Sequence, residues 1–204
     1  MTTREDHWNA VYGARAEAAL TWFEETPAQS LALIHHAGVT PEARVVDVGG
    51  GASRLVDALL DDGFTRITVL DLSVEALKVS QQRLGDRAGR VNWIAGDITT
   101  WQPDGPYDLW HDRAVFHFLT EPADRAAYVL GLSQALRTGG VAVIGTFALD
   151  GPEKCSNLPV MRYSAQTLAD ALGNGFDLIE SRVHRHLTPM GRTQSFVFGV
   201  FRRR

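Results

Sequence analysis

The chain has 204 residues, 45% of them hydrophobic and 22% charged, with a formal net charge of −4. These values fit one globular domain and exclude a disordered or fibrous chain, and the acidic balance gives no electrostatic footprint for nucleic acid or an anionic membrane. The single cysteine excludes an internal disulfide. No stretch approaches the ~20 apolar residues of a membrane span and the N-terminus lacks a signal-peptide run, so a cytoplasmic location is expected.

Residues 3–38 read as helical, with a break around residues 21–27 and a stop at Gly38 ahead of Thr40-Pro41. Trp8 and Tyr12 stand one helical turn apart on one face, and Trp22-Phe23 falls at the break. Residues 1–40 are expected to form a helical lid over a sheet core spanning 43–204, all within one domain (1–204). Val45–Val48 reads as a buried strand running into Gly49-Gly50-Gly51, with a helix over 55–60 behind the turn. Further strands follow: Arg66–Asp71, Arg90–Ala95 leading into Gly96-Asp97-Ile98, and Tyr107–His111 closing on Asp112. Leu136-Arg137-Thr138-Gly139-Gly140 precedes a fifth strand. Helix and strand alternate from 43 to 147, which predicts a parallel sheet with helices on both faces. Beyond that, a helix over 164–172 precedes two alternating runs, 176–186 and 192–201, around Thr188-Pro189-Met190-Gly191, a long hairpin. Arg202–Arg204 reads as a solvated tail.

The turn at Gly49–Gly51 lets a ligand lie against bare backbone at a helix N-terminus. A dinucleotide fingerprint needs a third glycine at position 54, which is Arg54. An acid, Asp47, precedes the turn instead. A carboxylate there repels a pyrophosphate but suits a cofactor carrying a sulfonium and an amino group. Asp71 ends its strand twenty residues after Gly51, where a carboxylate can take both ribose hydroxyls. Asp97 sits where an adenine amino group needs an acceptor, and Asp112 ends the fourth strand. Each of Asp71, Asp97 and Asp112 alone could be a helix cap. Their joint register favours a nucleoside site.

These residues resemble the class I S-adenosylmethionine-dependent methyltransferases. The family motif D-x-G-x-G-x-G falls on Asp47, Gly49 and Gly51, with Ser53 in place of the last glycine. Leu136 to Gly140 resembles the family's helix-end glycine pair before strand five. The resemblance implies a Rossmann-like, doubly wound, mostly parallel seven-stranded α/β sheet with a C-terminal antiparallel hairpin. It implies S-adenosyl-L-methionine as cofactor, S-adenosyl-L-homocysteine as product, and no metal. The implied cofactor set is Asp47, Gly49, Gly50, Gly51, Asp71, Leu72, Asp97, Ile98, His111 and Asp112, with Trp8, Tyr12 and Trp22 from the lid. The lid aromatics resemble a branch holding small-molecule and certain protein-lysine methyltransferases.

Chemistry is expected at the end of strand four, His111 to Leu119, and in the irregular segment after strand five. Arg113 or Arg162 could stabilise a thiolate, His117 could collect its proton, Tyr163 could orient a hydroxyl, and Asp112 is expected near the methionine moiety. Cys155 is read as a bystander, because displacement at a sulfonium methyl needs no covalent enzyme intermediate. No insertion above ~15 residues is left for a substrate module, which favours a small-molecule acceptor over protein or nucleic acid. A small thiol or chalcogen is the leading expectation. The alternatives are a protein lysine, a small carboxylate or hydroxyl metabolite, and a non-enzymatic cofactor-binding adaptor.

Overall fold

Strands covered on both faces can be apolar throughout, and this governs the middle of the chain. The computed structural model describes residues 3–204. The strands β1 (Arg44–Val48), β2 (Arg66–Asp71), β3 (Val91–Ala95), β4 (Tyr107–Arg113) and β5 (Leu136–Phe147) pair in parallel. A short ribbon, β6 (Lys154–Cys155) with β7 (Leu158–Pro159), follows them. The long hairpin is β8 (Phe176–Leu187) and β9 (Thr193–Arg203), and the seven-stranded order is β3-β2-β1-β4-β5-β9-β8. Only β9 runs antiparallel to its neighbours. The strand order reverses between β1 and β4, and the carboxyl ends of the strands open there into a crevice, the usual ligand position of such sheets.

The helices are α1 (Arg4–Ala14), α2 (Ala28–His36), α3 (Leu55–Asp61), α4 (Val74–Leu84), α5 (Pro122–Ala135) and α6 (Ala165–Leu172). Because side chains alternate along a strand, Val45 of β1 packs with Leu33, Leu55, Leu59 and Leu77 of α2, α3 and α4. Val46 and Val48 pack instead with Tyr128, Leu132 and Leu168 of α5 and α6. Leu59 is fully buried, and cutting such a leucine to alanine costs ~2–5 kcal/mol. Among the described residues, no helix is long and apolar enough to cross a membrane.

Three sequence expectations are corrected. The stretch expected as a lid over residues 1–40 is in two parts: α2 belongs to the sheet layer, with Leu33 and Ile34 fully buried, and only the chain before it covers the crevice. Met1 and Thr2 lie outside the described residues. The Gly139-Gly140 pair lies inside β5, because α5 stops at Ala135 and the register slips between Tyr107 and Leu109 of β4, with Gly139 at φ +75°. Such a slip is a bulge, where glycine relieves the left-handed conformation. Arg202 and Arg203 belong to β9, Arg203 donates to the Leu136 carbonyl, and Arg204 pairs with Asp177 at 2.6 Å. Arg202 and Arg203 lie in a strand paired on both sides and do not form a free tail.

Candidate active site

The turn after β1 is packed from both sides. Gly49 has φ +69°, and a Cβ there would lie 2.1 Å from Val115 Cγ2. A Cβ on Gly51 would lie 2.6 Å from Asp71 Oδ2. The Gly49 amide donates to the Leu70 carbonyl at 2.7 Å, and Ser80 Oγ donates to the Gly51 carbonyl at 2.6 Å. The turn is thereby held with its backbone facing the crevice, where a ligand can approach without meeting side chains.

A cavity opens beyond the strand ends. One end is formed by Leu70, Asp71, Leu72, Gly96, Asp97 and Ile98, with Gly49 in the floor. Asp71 is buried, and burial pushes its carboxyl up to about 7, with the nearby Asp47 adding to the rise and the Ser73 amide opposing it. Its Oδ1 accepts that amide at 2.8 Å. A carboxylate so placed gains from any hydroxyl donor arriving through the cavity. Asp97 Oδ1 accepts the amide and hydroxyl of Thr99 at 2.8 and 2.7 Å.

A second, smaller hollow shares Tyr12, Trp22, Gly49 and Arg113 with the first and reaches Asp47, Gly50 and His111. Asp47 and His111 are register partners on β1 and β4. His111 Nδ1 donates to Asp47 Oδ1 at 2.7 Å, and its Nε2 meets Ser30 Oγ at 2.9 Å. Asp47 Oδ2 is buried without a partner. An orphaned carboxylate oxygen beside a glycine turn, and an acid at the end of β2 that accepts only backbone amides and borders the cavity, fit a nucleoside carrying hydroxyls and an ammonium group.

The other end of the cavity is aromatic. Trp8, Tyr12 and Trp22 form one wall, with Phe118, Phe147 and Phe196 opposite. Trp8 lies edge-on to Trp22 and Phe118 at 5.7 and 5.1 Å, and Trp22 Nε1 donates to the Tyr12 hydroxyl at 3.2 Å. Arg113 enters this wall, donating to the Trp22 carbonyl at 2.9 Å and pairing with Glu24 at 3.1 Å. Burial lowers its pKa, although the guanidinium stays charged at any ordinary pH. Cys155 also lines this end, and burial pushes its thiol up to about 12, which leaves it unreactive.

Ion pairs hold the covering segment. Glu17, in a short 3-10 turn (Glu17–Ala19), meets Arg54 at 2.7 Å and Arg83 at 2.5 Å, and Arg54 also pairs with Glu25 at 2.5 Å. Ser73 donates to Asn9 at 2.8 Å. Position 54, the point of departure from a dinucleotide motif, thus ties the covering segment to the helix behind the turn.

Several expected site residues do not reach the cavity. Asp112 is fully buried with both oxygens engaged: Oδ1 accepts the Val115 amide at 2.8 Å, and Oδ2 accepts the Phe116 amide at 3.0 Å and the Tyr128 hydroxyl at 2.6 Å. It caps the turn at Ala114, which is held at φ +72°, a conformation that surrounding bonds must enforce. His117 Nδ1 accepts the Phe147 amide at 3.3 Å, so any proton sits on Nε2. Burial, helped by Arg113, pushes its pKa down to about 3. Such an imidazole collects no proton near neutrality. Arg162 is turned to the Gly151 carbonyl and Glu153, both at 3.2 Å. Tyr163 is buried against Phe116 at 5.5 Å. Of the five catalytic candidates, only Arg113 lines the cavity. Sequence reading passed over Phe118, Phe147, Gln194 and Phe196. The alternation of β9 could have indicated Gln194 and Phe196, which point the same way from one strand.

Residues 45–140 match the family described as "Methyltransferase domain", just under half of the chain. The chain is 26% identical over 109 residues to the eEF1A lysine and N-terminal methyltransferase of Mus musculus, which covers 53% of this chain and 15% of that protein. It spans between 15% and 21% of the first such relatives. Among solved structures, it is similar to the protein of "Conversion of a Disulfide Bond into a Thioacetal Group during Echinomycin Biosynthesis", at 22% identity and TM-score 0.78 over 98% of this chain and 92% of that one. It is also similar to the Burkholderia thailandensis 1,6-didemethyltoxoflavin-N1-methyltransferase, solved with its substrate and S-adenosylhomocysteine, at 22% identity and TM-score 0.68 over 95% and 80% of the two chains. Residues 45–140 are thus similar to a methyltransferase domain, and the chain as a whole shares the fold of these solved structures.

Proposed function

We propose that the protein transfers a methyl group from S-adenosylmethionine to a small nucleophile, with a thiol or related chalcogen as the acceptor. The observation that carries this reading is the acceptor end of the cavity: six aromatic side chains and one guanidinium, with no cavity-lining histidine. Such a wall excludes water and stabilises an anion but offers little help in deprotonating a strongly basic acceptor. A thiol near pKa ~8.5 is already a few per cent thiolate at neutral pH, whereas a lysine near ~10.4 needs a base.

Bound S-adenosylmethionine would supply an electrophilic methyl group. Asp71 and Asp97 would hold its nucleoside, and Asp47 with the glycine turn its amino-acid end. Trp8, Tyr12 and Trp22 would keep water from the acceptor, and Arg113 would favour the acceptor's anion. Positioning of this kind can contribute ~7–11 kcal/mol. The sulfur chemistry named for the first of the structural relatives is in keeping with this reading. A second reading, a protein lysine, is favoured by the same aromatic wall, because aromatic faces attract ammonium groups, and by the name of the mouse relative.

The test is to incubate the protein with radiolabelled S-adenosylmethionine and either a panel of small thiols or lysate proteins. Labelled thioether together with S-adenosylhomocysteine is the expected result. Label only in protein bands overturns the thiol assignment, and no S-adenosylhomocysteine from any acceptor points to a cofactor-binding adaptor.

A further inference from the structure

We propose that Glu24, His184 and His186 form a binding site for one divalent first-row transition metal, of which zinc best matches the donors, lying on the outer side of Arg113. The three side chains place one ligand atom each within 4.8 Å of one another. His184 and His186 alternate on β8, so both imidazoles leave the same face of the edge strand. Glu24 comes from the other direction, on the segment that carries Trp22.

The hydrogen bonding orients the donors. His186 Nε2 donates to the Thr21 carbonyl at 2.7 Å, which fixes the tautomer and leaves the Nδ1 lone pair pointing out. A backbone carbonyl holding the far nitrogen of an imidazole is the usual support of a metal-bound histidine. That lone pair faces Glu24 Oε1 across 3.3 Å. A lone pair and a carboxylate at that distance repel unless a cation lies between them. His184 Nε2 stands 3.7 Å from the same oxygen, too far for a hydrogen bond. A proton on His186 would satisfy the first contact and leave the second unexplained, whereas one metal ion satisfies both. Ligand bonds of ~2.0–2.1 Å in a tetrahedron set donors about 3.3 Å apart, close to both separations.

Access and charge agree with this placement. The His186 side chain is 4% exposed and Glu24 15%, while His184 is 29% exposed and borders an open surface hollow with Phe23 and Pro189. A fourth position is thus left for water. Arg113 shares Glu24 Oε1 at 3.1 Å from the cavity side. A carboxylate oxygen has two lone pairs and can serve both, although the neighbouring positive charge weakens metal affinity. Metal binding would staple residues 21–24 to the edge strand and so hold Trp22 in the cavity wall.

The test uses untagged full-length protein, stripped with a chelator and titrated with zinc chloride by calorimetry and with cobalt chloride by visible absorption. One metal per chain, a tetrahedral cobalt spectrum, and a Tm raised by roughly 5–10 °C at zinc a hundredfold above Kd are expected. His184→Gln, which removes the most exposed donor and its loose contact, should weaken zinc at least tenfold and leave the metal-free Tm within a few degrees. Glu24→Gln should weaken it similarly. No saturable uptake, or uptake unchanged in both variants, overturns the site. Absence of uptake with a pH-titrating His186–Glu24 pair seen by NMR would assign the intervening cation as a proton.

Discussion

The two ends of the cavity are built from different kinds of sequence. The nucleoside end comes from strand tips and the turn after β1, where each residue lies a fixed step from a buried strand. The acceptor end comes from the covering segment, the turn after β4, and β9, elements far apart in the chain and brought together only by the fold. Acids at the strand tips divide in the same way. Asp71 is left with little but backbone donors and faces open space, whereas Asp112 has three donors and faces none. Being a strand-terminal aspartate is therefore not enough to be a ligand. What decides is whether the protein has already used the oxygens.

The largest expected effect comes from breaking the satisfied acid. Asp112→Ala strands two amides and the Tyr128 hydroxyl in the core, costing about 3–5 kcal/mol at the going rate for buried unpaired donors. Its Tm should fall by about 10 °C or more, measurable by calorimetry, and the Ala114 turn should loosen with it. Asp71→Ala is the counterpart. It frees the Ser73 amide that Asp71 accepts but strands no side-chain donor, so Tm should fall less than in Asp112→Ala while S-adenosylhomocysteine affinity falls about tenfold to hundredfold, the worth of a charge-assisted hydrogen bond. Unchanged affinity would remove Asp71 from the nucleoside site.

The same acid predicts a pH dependence. In the empty site its carboxyl titrates at about 7, and ribose hydroxyls favour the anion. Binding should therefore release protons, with affinity full above about pH 7 and declining as pH falls through that value. Isothermal titration in buffers of differing ionisation heat checks the sign. At the acceptor end, Arg113→Gln should lower thiol methylation about tenfold near neutrality. The loss should shrink as pH approaches the thiol's own pKa of ~8.5, because the anion then needs no help. A loss equal at every pH would point to a positioning role. The smallest effect is expected at His117, whose pKa lies at about 3 when folded, against an ordinary 6.5. The unfolded chain binds the proton first, so stability is full above about 6.5 and lost progressively as pH falls towards 3. His117→Gln should flatten that slope in Tm against pH and leave methylation nearly intact.

The strands along the chain and their mostly parallel type were legible because continuous apolar runs ended in acids or glycines at regular intervals. Gly49 and Asp71, the residues proposed to hold the nucleoside, could be picked out for the same reason, since both are defined by local sequence and both line the cavity. His117 and Tyr163 misled because a histidine or tyrosine near a strand end looks the same whether it faces the cavity or the core. The roles of Arg54 and Glu17 depend on contacts between distant segments, which no local pattern carries. The α2 helix shows the same limit, since its apolar face reads equally as lid or layer until its neighbours are known.

One consequence follows from the arginines behind the turn. Glu17 bridges Arg54 and Arg83, and Glu25 adds to Arg54, so the flap over the crevice cannot swing away without unpairing two guanidinium groups beside the nucleotide cradle. Entry and exit of the nucleoside are thereby coupled to dissolving a small electrolyte cluster. Ionic strength then acts on the rate of exchange, while the bonds inside the closed cavity are screened far less.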